Sequence, residues 1–340
     1  MPDSLPLSAL LGIFAVAAAA VWFAGARVSD ATDALAARFG LGEALGGMIL
    51  LAIVTNLPEI AIVGSAAARG AMEVAIGNIL GGIAIQTVVL AALDLFGLGR
   101  SAALTYRAES PTLVLEGSLV VAVLALTIIG HHMPAGLIVA RMTPAALLIA
   151  LFWVAGLFVI GETRKRFGDA DGGGKPRPNG RSTARHALVF AVGALVTLAA
   201  GVALEISGEH IAAKIGMQGA LFGATVLAAA TALPEVSTGL ESMRLGDYRM
   251  AVSDIFGGNA FLPVLFLMAT LLSGKAVLPD ARPTDLYLTG LGILLTVIYI
   301  AGLVIRPQRQ LLRMGLDSFV VVVLYALGIL GLFFMHPDGG

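Results

Sequence analysis

Ten long apolar stretches constrain the fold of this chain more than any other feature. They lie at about residues 6–26, 42–68, 72–98, 111–130, 134–161, 186–206, 217–243, 249–273, 285–305 and 316–335. A helix that crosses a bilayer needs roughly 20 predominantly apolar residues, so each stretch is long enough for one crossing. Only 13% of the 340 residues are charged, about half the share in a soluble protein. We therefore predict an all-α polytopic membrane protein with about ten transmembrane helices.

Charge and residue usage exclude several classes of function. The net charge of −1 offers no basic surface for nucleic acid. The chain has no cysteine, which excludes a thiol nucleophile, and no Ser–His pair is evident inside a span, which argues against an intramembrane hydrolase. We expect the lipid bilayer and inorganic cations as partners, with no cofactor and no evident protein partner.

One polar interval, residues 162–185, is rich in Gly and in basic residues, a composition typical of a linker. It separates a first half, 1–161, from a second half, 186–340. Positively charged loops tend to remain cytoplasmic, and a cytoplasmic linker places 16 of the 21 Lys and Arg residues on the inner side. The sequence therefore predicts a multi-pass protein of the plasma (inner) membrane with both termini outside.

The two halves are copies of each other. A shift of 176 residues aligns 24–92 with 200–268 without a gap and keeps several Gly, Pro, Thr and Glu residues in register. The conserved segments of the two copies span about 42–98 and 217–273. Five helices in each half is an odd number, so consecutive copies enter the bilayer from opposite sides. This pattern predicts two inverted five-helix repeats, an arrangement found in many secondary transporters.

A Thr-x-Leu-Pro-Glu motif occurs once in each copy, at 55–59 and 231–235. Proline has no N–H and clashes with the carbonyl four residues earlier. The motif is therefore expected to break a helix in each half and to expose the backbone carbonyls of Val54 and Ala230 as oxygen ligands at membrane depth.

The same motif places a hydroxyl and a carboxylate on one helix face in each half, because Thr55 and Glu59, like Thr231 and Glu235, are four residues apart. Hard oxygen ligands suit Ca²⁺, and two glutamates neutralise one divalent ion. The glutamates could instead hold protons or monovalent cations, so one load could be exchanged for the other. An ionisable residue inside a span is expensive and indicates function by default.

These residues resemble the two alpha-repeats of the calcium/cation antiporter superfamily, which includes sodium/calcium exchangers and proton-driven calcium exchangers. The resemblance rests on residues 55–59 with 77–81 and on 231–235 with 253–257. It implies that Glu59 and Glu235 bind the transported cation at the centre of the protein.

The sequence departs from sodium/calcium exchangers at positions where those proteins carry Ser, Asn or Asp. The residues found there are Asn56, Gly82, Gln86, Ala232, Gly258 and Leu262. The sodium sites of the family are therefore incomplete, which favours proton coupling or a different cation. Asn56, Gln86, Asn259 and Asp254 remain further candidates for the cation site, with hydrogen bonding between helices as the alternative.

The leading hypothesis is a secondary active antiporter, not an enzyme, that exchanges Ca²⁺ or a related cation for Na⁺ or H⁺. The alternatives are a passive cation channel and a proton-coupled antiporter for K⁺ or Mn²⁺. Among the other acidic residues, Glu116 is expected at a membrane interface and Glu205 with Glu209 at a hydrated helix end.

Overall fold

The computed structural model describes residues 5–39, 53–97, 102–167 and 183–334, and most of them are helical. The first half contains α1 Leu7–Phe39, α2 Leu57–Arg69, α3 Met72–Gly97, the short α4 Leu104–Arg107, α5 Pro111–His131 and α6 Pro144–Phe167. The second half begins with α7 Thr183–Ile215, α8 Gly219–Phe222, a π-helical turn Gly223–Leu227, α9 Ala228–Thr231 and α10 Leu233–Leu245. It continues with α11 Tyr248–Phe261, a 3₁₀ turn Leu262–Val264, α12 Leu265–Ser273, α13 Pro283–Ile305, strands β1 Gln310–Leu311 and β2 Met314–Gly315 in an antiparallel hairpin, and α14 Leu316–Phe334.

Seven helical spans in the described part of the chain are long and apolar enough to cross a membrane. The other predicted crossings differ for identifiable reasons. The stretch at 42–68 begins outside the described residues, and the stretch at 217–243 is interrupted at Ala232. The apolar part of α14, Leu316–Leu332, is shorter than the others. The chain is thus an integral multi-pass membrane protein.

The helix boundaries follow the sequence repeat closely. Helices α1 and α7 have 33 residues each, and α2 and α10 have 13 each. Both pairs begin 176 positions apart, as does the pair formed by α3 and the segment from α11 to α12. The two copies of this last segment differ at a 3₁₀ turn, where the second copy carries Pro263, because proline cannot donate a helical hydrogen bond.

The fifth apolar stretch forms a helix only from Pro144 onward, although the sequence predicts it from residue 134. The residues before it form turns, with positive φ at Ala140 and Arg141. The Arg141 guanidinium donates to the carbonyls of Leu271 and Leu272, both at 2.8 Å, and so satisfies carbonyls at the end of α12. Of the predicted linker, residues 168–182 lie outside the described part, and the flanking residues extend α6 and α7.

Helix α1 packs along α7, and each of them contacts the proline of the opposite half. A Cβ atom on Gly25 would stand 2.9 Å from the Pro234 Cγ atom, and one on Gly201 would stand 2.7 Å from the Pro58 carbonyl oxygen. Gly25 and Gly201 are themselves 176 residues apart. The repeat therefore places a glycine opposite each helix break, where no larger residue fits.

Replacing Gly201 with Ala is expected to destabilise the protein by about 1–3 kcal/mol, the typical cost of overpacking. The added methyl group would overlap the Pro58 carbonyl. Gly64→Ala on α2 is the matched control, because a Cβ atom there meets nothing within 4 Å and Ala favours a helix by about 1 kcal/mol over Gly. Thermal unfolding of the two purified variants tests this, and equal midpoints would contradict the packing described.

Candidate cation site

Both motif glutamates lie in the first turn of a helix that restarts after a break. Helix α2 follows a turn at Asn56, with φ −94° and ψ 19°, and α10 follows a turn at Ala232, with φ −78° and ψ 0°. Proline is tolerated in the first helical turn, where its missing N–H is not needed. Because a helix start carries a partial positive charge, each break supports the negative charge of its glutamate.

The two glutamates are buried and close to one another. Glu59 is 0% exposed and Glu235 is 1% exposed, and the Glu235 carboxylate interacts electrostatically with those of Glu59 and Asp254. Within the described residues, both carboxylate oxygens of Glu59 and the Oε2 atom of Glu235 lack a hydrogen bond of normal geometry, although the Thr231 hydroxyl lies near the Glu59 carboxylate. Burial of a carboxylate without compensation is costly, so this arrangement requires a cation or protons.

Two amide side chains of the first half reach the second half at Glu235 and Gly258. Gln86 on α3 donates its Nε2–H to Glu235 Oε1 at 3.4 Å, and Asn56 donates its Nδ2–H to the Thr55 hydroxyl at 3.3 Å. A Cβ atom on Gly258 would stand 3.2 Å from Asn56 Nδ2 and 3.7 Å from Gln86 Oε1. The structure therefore brings together four residues that the sequence predicts for the site, namely Thr55, Asn56, Gln86 and Glu235.

Thr231 and Asn259 reach α3 from the second half. The Thr231 hydroxyl lies 3.4 Å from Asn78 Oδ1, and Asn259 donates its Nδ2–H to the Thr87 hydroxyl at 3.2 Å. Sequence reasoning did not include Asn78 and Thr87 in the site. The sequence signal for Asn78 was its alignment with the acidic Asp254, whereas Thr87 aligns with a proline and gave no signal.

Asp254 contacts a hydroxyl rather than the amides. Its Oδ2 atom accepts a hydrogen bond from Thr238 at 2.8 Å, and that hydroxyl also lies 3.3 Å from the backbone carbonyl of Glu235. Sequence reasoning missed Thr238, although its spacing of three residues from Glu235 places both on one helix face. Asp254 is half-buried and is therefore more exposed than Glu59 and Glu235.

Gly81 and Gly257, which occupy equivalent positions in the two repeats, are packed differently. A Cβ atom on Gly81 would collide with the backbone of Ala224 in the π-helical turn, and one on Gly223 would stand 3.0 Å from the Asn78 nitrogen. The equivalent Gly257 in the second half has nothing within 4 Å of its Cβ position. There is therefore space beside Gly257 that the second half does not leave beside Gly81.

Charged residues form ion pairs at both ends of the bundle. Arg69 pairs with Glu205 and, at 2.9 Å, with Glu209, beside a cleft of about 710 Å³ that Arg69 and Glu209 help to line. The Glu205 side chain is 0% exposed, so the expectation of a hydrated helix end is wrong for this residue. It is buried because Ser65 and Arg69 on α2 supply its hydrogen bonds.

A second ion pair joins α5, α6 and α11. One nitrogen of Arg164, Nη2, lies 2.8 Å from Glu116 Oε1 and 2.8 Å from the Ser253 hydroxyl. Glu116 is buried, with Arg164 at the end of α6 as its charge partner. Ser253 precedes Asp254, so this ion pair lies beside the candidate site.

The chain is a multi-pass helical bundle with two buried carboxylates at helix breaks. Acidic residues inside a membrane mark ion pathways, so these features are those of a membrane transport protein. Within that class the chain belongs to the sodium/calcium exchanger protein family, whose sequence pattern matches residues 9–161 and 185–334. Membership makes it an ion transporter and not an enzyme. The resemblance noted in the sequence is thereby confirmed.

Individual relatives agree with this assignment. The putative antiporter CaxA of Alkalimonas amylolytica is 25% identical over 254 residues, which cover 71% of this chain and 73% of that protein. The solved H⁺/Ca²⁺ exchanger CAX has a TM-score of 0.70 and covers 97% of this chain and 83% of its own. The sodium-calcium exchanger NCX_Mj has a TM-score of 0.60 and covers 97% and 100%. Both structures are 15% identical to this chain, so they show the shared fold alone.

Proposed function

We propose that this protein is a secondary active antiporter that exchanges Ca²⁺, or a closely related cation, for a counter-ion at Glu59 and Glu235. The observation that carries the proposal is the pair of buried glutamates, with oxygens that lack a hydrogen bond of normal geometry in the described residues, at two symmetric helix breaks. Two carboxylates balance one divalent cation. Removal of that cation leaves a repulsive pair that protons or monovalent cations neutralise, and this alternation is the basis of exchange.

The ligands around the glutamates suit a hard cation. Ca²⁺ takes six to eight oxygen ligands at roughly 2.3–2.6 Å. No group of three or more acidic or histidine side chains in the described segments is arranged to hold a metal, so neutral oxygens must complete the shell. We assign this role to the Gln86 amide oxygen, the hydroxyls of Thr55 and Thr231, and the carbonyls of Val54 and Ala230. Asn56 orients the Thr55 hydroxyl, to which it is hydrogen-bonded, Asn259 connects α11 to Thr87 on α3, and Asp254 supplies a third acid beside Glu235.

The surroundings of the glutamates favour H⁺ over Na⁺ as the counter-ion. Leu262 is buried, and its Cδ1 atom lies 3.6 Å from the position of a Cβ atom on Gly82. An apolar side chain thus stands where sodium/calcium exchangers carry a polar ligand. Protons need no coordination shell beyond the carboxylates themselves, so the missing ligands do not impair proton exchange.

Alternating access between two inverted five-helix repeats provides the transport mechanism. The matching bounds of α1 with α7 and of α2 with α10 support the repeat. We place the protein in the plasma (inner) membrane. Both termini then lie outside, and the linker lies in the cytoplasm. In that orientation the ion pair of Arg164 with Glu116 lies toward the cytoplasm, and the cleft of about 710 Å³ beside Arg69 lies toward the outside.

Cation uptake into proteoliposomes tests the function. We expect Ca²⁺ uptake only when an opposing ion gradient is imposed, with Mn²⁺ as a weaker competitor and K⁺ without effect. Stronger inhibition by Mn²⁺ or K⁺ would reassign the transported cation. Rapid Ca²⁺ entry in the absence of any opposing gradient would contradict the antiporter and support a passive channel.

A further inference from the structure

We propose a second cation site, separate from the two glutamates, where the end of α3 meets the hairpin, α13 and the start of α14. Its two acidic residues are Asp94 on α3 and Asp317 on α14. Asp94 lies eight residues after Gln86 on the same helix, about 12 Å further along the helix axis. The site is therefore distinct from the proposed transport site, and its assignment does not depend on the transported cation.

Asp94 accepts three hydrogen bonds, one on Oδ1 and two on Oδ2. It is 1% exposed and accepts hydrogen bonds from the backbone N–H of Leu104 at 2.8 Å, the backbone N–H of Gly315 at 2.6 Å and the hydroxyl of Ser318 at 2.7 Å. These bonds connect α3 to α4, to the hairpin and to α14. Asp94 therefore has a structural role, which is to hold these elements together.

Asp317 has no such role. It is 6% exposed, and neither of its carboxylate oxygens has a hydrogen-bond partner in the described segments. Its oxygens lie against Gly302 and Gly315. Asp94 Oδ2 is 3.2 Å from the position of a Cβ atom on Gly315, and Asp317 Oδ1 is closer to that position. Because both oxygens lie within 3.2 Å of that one position, Asp94 Oδ2 and Asp317 Oδ1 are less than twice that distance apart.

No ion pair of the described residues includes Asp94 or Asp317, and the nearby Arg306 has a buried Nε atom without a partner there. The start of α14 supplies only the partial positive charge of a helix N-terminus. Arg306, on the same end of α13, pairs with Glu109 at 2.7 Å and lies 5.1 Å from the ring centre of Tyr106. A buried carboxylate is normally hydrogen-bonded, paired or bound to a metal. A divalent cation held between Asp94 and Asp317 would satisfy both charges, and Ca²⁺ or Mg²⁺ has the required affinity for oxygen.

Cation binding by the full-length protein that carries Glu59→Gln and Glu235→Gln tests this site without interference from the transport site. Isothermal titration with Ca²⁺ and, separately, with Mg²⁺ is expected to show one remaining site for at least one ion. Adding Asp317→Asn should weaken that binding by at least about tenfold, as loss of metal-site residues commonly does. A loss of transport-site binding in the parent variant would not affect this result, so the two proposals can fail independently.

Asp285→Asn is the matched control. Asp285 is 3% exposed, lies in the first turn of α13 and has one carboxylate oxygen without a partner in the described part. We expect this variant to retain the remaining site. The proposal is overturned if the double variant binds neither ion, or if Asp317→Asn and Asp285→Asn have the same affinity as their parent.

Terbium luminescence locates the ion even if Asp317→Asn folds poorly. Tyr299 is buried, and its hydroxyl donates to Ser318 at 3.1 Å, so it is the aromatic side chain that would sensitise Tb³⁺ at this site. Tyr299→Phe should reduce the sensitised emission severalfold and leave Tb³⁺ affinity unchanged. Emission that is unaffected by this change would place the ion elsewhere.

Discussion

Glu59→Gln and Glu235→Gln are each expected to reduce Ca²⁺ uptake by proteoliposomes to the level of vesicles without protein. Each change keeps the size of the side chain and removes one of two buried charges. Because the glutamates lie within electrostatic reach of each other and both are buried, the remaining carboxylate cannot balance a divalent cation. We expect Ca²⁺ affinity, measured by titration of purified protein, to fall by at least about a hundredfold, or about 2.7 kcal/mol.

Glu241→Gln is the control for this experiment. Glu241 lies on α10, as Glu235 does, but its side chain is exposed and pairs with Arg244 at 3.5 Å. Exposed pairs of this kind contribute little, so uptake should remain at the wild-type level. If Glu59→Gln transported Ca²⁺ as well as Glu241→Gln, the assignment of the glutamates would be wrong.

A pH gradient alone is expected to drive Ca²⁺ uptake, whereas a Na⁺ gradient at equal pH is not. Vesicles with an acidic interior should accumulate Ca²⁺, because protons that leave down their gradient are exchanged for Ca²⁺ that enters. If two protons leave per Ca²⁺, one pH unit supplies about 2.7 kcal/mol and supports about a hundredfold Ca²⁺ gradient. Lowering the pH equally on both sides should slow transport, since protons then compete for the carboxylates.

The matched comparison uses the same vesicles with Na⁺ inside at equal pH, and it should give uptake near background. The prediction rests on the apolar Leu262 beside Gly82, where a sodium ligand would be needed. Uptake driven by Na⁺ and insensitive to pH would contradict proton coupling. It would leave the glutamates as the site and require sodium ligands that the sequence comparison did not identify.

The long helices and the repeat could be predicted from the sequence because apolar length and a constant shift of 176 residues are properties of the chain itself. The helix breaks were predictable for the same reason, since Pro58 and Pro234 act on carbonyls four residues away. The start of α6 was not, because apolar composition does not distinguish a helix from the turns that precede Pro144.

Contacts between distant helices could not be predicted. The bond of Gln86 to Glu235 and that of Asn259 to Thr87 depend on how the two halves pack. The same is true of Glu205, whose burial depends on Arg69 from another helix. Local spacing identifies which residues share a face of one helix, but it carries no information about which face of another helix they meet.

Simultaneous recording of Ca²⁺ entry and proton exit in one population of proteoliposomes tests the central claim most directly. A fluorescent pH indicator inside the vesicles reports the proton flux, and ⁴⁵Ca²⁺ reports the cation. Obligatory exchange predicts that both fluxes begin together on addition of Ca²⁺, keep a constant ratio and disappear together in Glu59→Gln. Calcium entry with no matching efflux of protons or Na⁺ would contradict the account.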